Sequence, residues 1–157
     1  MNKMSKNASY PTKDEHWKTI KELIEIILKA ERKPSVKESM NAHFACFALE
    51  TGEYKDKADS VYYRKPNGQR VHGVRIRTAK LIRQHCEVHM NETRQDFLDK
   101  WQRATKLIFT YHDRHYVKRE QHESTGPPNY ETANMLDFGM MVWDEVHLEQ
   151  HLHTIAI

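Results

Sequence analysis

Apolar residues recur along this chain at intervals of three and four, the period of helices that bury one face, in five stretches separated by polar connections. The first opens at Thr12 and Glu15, a capping box in which each side chain satisfies a free backbone N–H of the first turn. Trp17, Ile20, Ile24, Ile27 and Leu28 follow at helical spacing, and Lys33 before Pro34 marks the stop. A second box, Ser35 with Glu38, opens a helix with Val36, Met40, Phe44 and Phe47 on one face and Ala42, Ala45, Cys46 and Leu49 on another. Gly52 is placed as its left-handed C-terminal residue, so these two stretches predict a tight αα-hairpin.

Residues 53–71 break the period at the turn residues Pro66, Asn67 and Gly68 and are expected to form a loop. Val61, Tyr62 and Tyr63 before that turn and Val71 after it would also suit a short β-hairpin. Val74, Thr78, Leu81, Ile82 and His85 predict a third helix ending near Asn91. Thr93 then caps a long fourth helix running to about Arg119, with Phe97, Trp101, Ala104, Ile108 and Tyr111 on its stripe. Residues 121–130, which hold Gly126, Pro127 and Pro128, read as a second loop. A fifth helix is expected from Glu131 to His151, weakened at Gly139 by about 1 kcal/mol relative to Ala. The polar, aperiodic residues 1–11 are expected to be a disordered tail, leaving residues 12–157 as one all-α domain of five helices. Trp101, Ile108, Tyr111 and Trp143 are expected in its core, and Arg114 is expected to be shielded against a carboxylate or backbone carbonyls.

The second and fifth helices carry more apolar surface than one core contact uses. Met135, Leu136, Phe138, Met140, Met141, Val142, Trp143 and Val146 cover over half the circumference of the fifth, which is therefore either central or in contact with a partner as well. Met and aromatic residues on such faces suit the centre of a protein interface.

Composition narrows the class. Charged residues make up 30% of the chain, with only 5 Gly and 5 Pro, as in a helical domain with a polar surface. No apolar run reaches the roughly 18 residues of a membrane span, and two scattered cysteines, Cys46 and Cys86, point to reduced thiols and an intracellular, cytoplasmic or nuclear protein.

Candidate chemistry is sparse. His85 and His89 could hold a metal from one helix face, but nothing nearby offers a second ligand pair, so no metal or cofactor is expected; His85 should be partly buried and His89 solvated. His112 with His115, and His147 with His151 and His153, have similar spacings that arise readily among 11 His. No nucleophile elbow or phosphate loop occurs, and an enzyme is not expected. Arg64, Lys65, Arg70, Arg75, Arg77, Lys80 and Arg83, beside Tyr62 and Tyr63, could instead neutralise phosphates and stack on bases, making nucleic-acid binding the alternative function.

The end of the fourth helix carries a more specific signal. Tyr111, Asp113, Arg114, Tyr116 and Val117 fill the pattern that closes the fourth helix of the first cullin repeat, and the stretch MLDFGMMVWDEVHL resembles the fifth helix of that repeat. The resemblance spans about Trp17 to Leu148 and implies a five-helix cullin-repeat-like bundle that acts as the adaptor-binding arm of a ubiquitin ligase scaffold. In that family the second and fifth helices dock a BTB-domain or Skp-family protein, elongin C or a β-propeller adaptor. Mapped by position, the resemblance implies Val36, Ser39, Met40, His43 and Phe44 as partner-binding residues of the second helix, with Leu136 and Met140 on the fifth. It places Trp143 inside. Ser39 departs from the apolar residue usual at its place, and the RING-recruiting half of a cullin is not in this sequence.

Overall fold

The computed structural model describes residues 10–56, 62–64, 70–123 and 126–156. In chain order they form α1 (Lys13–Lys29), α2 (Val36–Thr51), β1 (Tyr62–Arg64), β2 (Arg70–His72), α3 (Gly73–Val88), α4 (Arg94–Ile108), α5 (Thr110–His112), a π-helical turn (Asp113–Val117), α6 (Lys118–Glu123) and α7 (Met135–Ala156). The fold is thus helical apart from one hairpin. Most of the expected tail, residues 1–9, lies outside the described residues, as do 57–61 and 65–69 of the expected loop and 124–125.

Both capping boxes form as the sequence requires. The αα-hairpin turns earlier than Pro34 suggests, because Ala30 adopts a left-handed φ of 54° and its N–H closes on Ile26. Gly52, at φ 74°, closes α2 as expected. Strands β1 and β2 are antiparallel with Tyr63 opposite Val71, so the expected loop contains the short hairpin that its apolar residues suit. β2 leads directly into α3, whose first turn is capped by the His72 ring: Nδ1 accepts from Val74 N–H at 3.1 Å.

α1 packs on α2 and α4, while α7 packs along α3 and α4. The core at the second contact is aromatic: Trp101 stacks with Phe97 at 6.2 Å between ring centroids, and Phe97 with Trp143 at 6.3 Å. Trp101 is fully buried and donates from Nε1 to Met135 O at 2.8 Å. Gly139 permits this approach, since a Cβ there would lie 2.0 Å from Trp101 Nε1. Its cost to helix propensity is therefore the condition for seating the largest core side chain.

The fourth apolar stretch is segmented rather than one α-helix. The backbone leaves α geometry at Phe109 (φ −103°, ψ 14°) and widens into the π turn, and helical structure continues to Glu123. Phe109, His112 and Tyr116 turn inward in consequence. Tyr111, expected in the core, is half-buried between Phe47 and His115. Arg114, expected to be shielded, is exposed for the same reason. Among the described residues the buried arginine is Arg75, 1% exposed.

Candidate functional site

Two places in this fold concentrate unusual residues: a buried polar cluster and an exposed apolar stripe. The cluster draws Glu50 from the last turn of α2, His72 from β2, Arg75 from α3 and His112 from α5. His72 and His112 are fully buried, and the Glu50 side chain is 5% exposed. His112 Nδ1 is hydrogen-bonded to Glu50 Oε1, and His72 Nε2 lies 3.2 Å from the same oxygen. Arg75 Nη1 approaches His112 Nε2 at 3.2 Å. The rest of the guanidinium donates to Tyr130 O from Nε at 3.0 Å and from Nη2 at 2.6 Å, and to Ala133 O at 2.7 Å, with its face 4.5 Å from the Phe138 ring centre.

These partners fix the protons. A guanidinium only donates, so His112 Nε2 accepts, and its single proton sits on Nδ1 facing Glu50. Val74 N–H donates to His72 Nδ1, so the His72 proton sits on Nε2, also facing Glu50. Burial pushes His112 down to about 4, against the pull of the carboxylate. Burial alone would raise Glu50, but the bonds from His112 and His72 hold it well below the usual carboxylate range. Desolvation lowers Arg75 to about 10, so it stays charged at neutral pH. The result is an anion and a cation bridged by a neutral imidazole.

Ligand atoms of Glu50, His72 and His112 all lie within 4.8 Å of one another, close enough to suggest a metal centre. The surroundings have the wrong sign for one. A metal-bound imidazole presents its distal N–H to an acceptor, whereas the distal nitrogens here face donors, Val74 N–H and the Arg75 guanidinium. The trio is a proton-linked lock that ties α2 to the hairpin, α3 and α5.

Asp113 extends the lock to α7. Its Oδ1 accepts from Met135 N–H at 2.9 Å at the start of that helix, and burial raises its carboxyl to about 6 against that bond and the nearby Arg75 charge. No spacing in the sequence joins Glu50, His72, Arg75 and His112. The available signal was polar type at an apolar place, because His112 falls four residues after Ile108 on the inward stripe.

Several of the remaining histidines and both cysteines are engaged in packing. His85 is half-buried and bonded to Glu92 at 2.8 Å, while His89 is exposed. His147 donates from Nδ1 to Trp143 O at 2.9 Å and stacks on that ring. Burial pushes the Cys86 thiol up to about 12 and Cys46 well above the usual thiol range, which suits neither to attack as a thiolate.

Three cations of the basic segment are already engaged within the fold. Arg75 is interior, Arg77 pairs with Asp14 at 3.0 Å, and Arg83 bridges to Glu145 and Glu149. Arg64 and Arg70 belong to the hairpin strands with Tyr62 and Tyr63, Lys80 is exposed, and Lys65 lies outside the described residues.

The partner-binding residues implied by the resemblance separate into two groups. Val36, Met40 and Phe44 are 78%, 65% and 53% exposed along one face of α2. His43 is exposed and Ser39 half-buried beside them. Together with Phe47 and with Lys106 and Leu107 of α4, Ser39, Met40, His43 and Phe44 line a groove of about 400 Å³. Leu136 is half-buried and Met140 is buried, 7% exposed, so they do not complete one exposed patch with α2. The physical reason is that α7 is central. Met135, Phe138, Met140, Val142, Trp143 and Val146 all enter the core, and among the described residues of α7 the exposed large apolar side chains are Leu148, Leu152 and Ile155 on its distal turns.

Compared with protein-family models, curated proteins and solved structures, the chain matches none.

Proposed function

We propose that this protein is an adaptor-binding scaffold arm of the cullin type, which holds a BTB-fold, Skp-family, elongin C or β-propeller adaptor against α2 and has no catalytic step of its own. The observation that carries the proposal is the Val36, Met40 and Phe44 stripe: large apolar side chains left in water on a helix whose two ends are firmly capped. A monomeric domain rarely leaves such a face uncovered without use. The similarity of the Tyr111–Val117 stretch and of α7 to the first cullin repeat supplies the kind of partner. With Met140 interior, the docking surface proposed here is α2 and the end of α4 rather than α2 with α7. Such an arm would work in the cytoplasm or nucleus.

The test is capture from cell extract on the immobilised domain, followed by mass spectrometry and by direct binding of the recovered adaptor to the purified protein. Recovery of an adaptor whose binding is lost in Phe44→Asp supports the proposal. Retention on heparin at moderate salt, with nucleic acid and no adaptor recovered, would overturn it in favour of nucleic-acid binding.

A further inference from the structure

We propose that the groove between α2 and the end of α4 takes an apolar segment of a partner protein flanked by carboxylates, and that its charge pattern selects that partner. This deepens, and rests on, the docking role of α2 proposed above. The floor of the groove is apolar, from Met40, Phe44, Phe47 and Leu107. Its polar lining is Ser39, His43 and Lys106, with no acidic residue, and Lys37 is exposed one turn before Met40.

Among the described residues neither Lys37 nor Lys106 has an ion pair, whereas two cations earlier on α4 are matched. Arg94 pairs with Asp144 at 2.8 Å and Lys100 with Glu92 at 2.7 Å. Glu38, the acidic residue closest in sequence to Met40, is held away by Arg32 through bonds of 2.8 and 2.7 Å. The groove therefore offers an apolar floor with uncompensated positive charge at its edge. Apolar contact supplies the affinity for an occupant, and charge supplies steering and the rejection of basic competitors. Two lysines and a histidine neutralise too few phosphates to hold a nucleic acid at physiological salt, which favours a protein occupant.

The experiment is a titration of the 15N-labelled protein with two synthetic amphipathic peptides. Both carry Leu and Phe at helical spacing; one has Glu at every intervening polar position and the other Lys. The acidic peptide should shift the amides of Met40, Phe44 and Leu107 and bind about tenfold or more tightly than the basic one, an advantage that shrinks between about 50 and about 300 mM salt. Lys106→Glu, an exposed change that leaves the fold intact, should cut the preference to about threefold or less, and His43→Glu should act in the same direction. Equal binding of both peptides, shifts confined to Leu148, Leu152 and Ile155, or tighter binding of a single-stranded oligonucleotide would each overturn the inference. The two proposals fail separately. An adaptor captured through α2 with no peptide discrimination removes only the charge rule; discrimination without an adaptor removes only the scaffold role.

Discussion

Arg75 and His112, 37 residues apart in sequence, meet at 3.2 Å in a space from which water is excluded. The contact passes the charge of Arg75 through a neutral ring to Glu50, while the rest of the guanidinium serves the carbonyls of Tyr130 and Ala133 at the approach to α7. One side chain thus joins α2, α3, α5 and the segment before α7. Removing it leaves the buried Glu50 carboxylate without a counter-charge and takes the guanidinium donors from two carbonyls. Arg75→Met should cost about 3 to 5 kcal/mol in urea unfolding, whereas Arg114→Ala, on the exposed side of the π turn, should change stability by less than about 0.5 kcal/mol. Similar losses at both positions would contradict the assignment of the keystone.

Asp113 makes a prediction about pH. Its carboxyl is raised to about 6 in the folded protein from an ordinary 3.8, so the folded state binds this proton more tightly than the unfolded chain. A raised acid costs stability above pH 6, and that cost vanishes as pH falls towards 4. Asp113→Asn keeps an oxygen for Met135 N–H and removes the buried charge. The variant should match the native protein near pH 4 and exceed it at pH 7 by about 1 to 2 kcal/mol, after allowance for solvent screening at a half-buried group. His112 and Glu50 titrate in both proteins, so their contributions largely cancel in the difference. A gap that stays constant between the two pH values would refute the burial argument.

Gly139→Ala sets propensity against packing. Alanine gains about 1 kcal/mol as a helix former, but its Cβ would fall 2.0 Å from Trp101 Nε1. Overpacking should win, with a net loss of at least about 1 to 2 kcal/mol and a red-shifted tryptophan emission as Trp101 leaves Met135 O. A raised melting temperature would mean that Trp101 has room to move.

Two methionines should behave in opposite ways. Met40→Asp places a charge on an exposed face, so melting should be nearly unchanged while adaptor binding weakens by about 2 kcal/mol or more. Met140→Asp places a charge in the core and should unfold much of the population at 37 °C. Calorimetry beside binding separates the two, and a collapsed transition in Met40→Asp would show that α2 is less open than described.

The caps explain why the first third of the chain is legible from sequence. Thr12 with Glu15 and Ser35 with Glu38 are local devices, complete within four residues, and the apolar period between them is undisturbed. The region from Phe109 to Val117 is less legible because the period remains plausible through a change of backbone geometry. Tyr111 and His112 both continue the stripe, and a rule that places aromatics inside and imidazoles outside chooses the wrong one. Arg75 groups with the phosphate-neutralising cations in sequence for a similar reason: its acceptors are carbonyls 55 and 58 residues away, which carry no side-chain signature. On the candidate docking site, exposure of Val36, Met40 and Phe44 follows from an α2 with two apolar faces, whereas the interior place of Met140 depends on which helices α7 meets.

That separation between local and distant contacts also orders the folding reaction in time. The α1–α2 hairpin closes a short loop and carries its own caps, so it is expected in the early nucleus, where loop-closure entropy is small. The Arg75 lock needs α2, α3, α5 and the approach to α7 in place together and is expected to form late. Contacts absent from the transition state govern the rate of escape from the native state rather than the rate of entry. The lifetime of the folded domain should therefore be set at the far end of α2, where Glu50 is fastened.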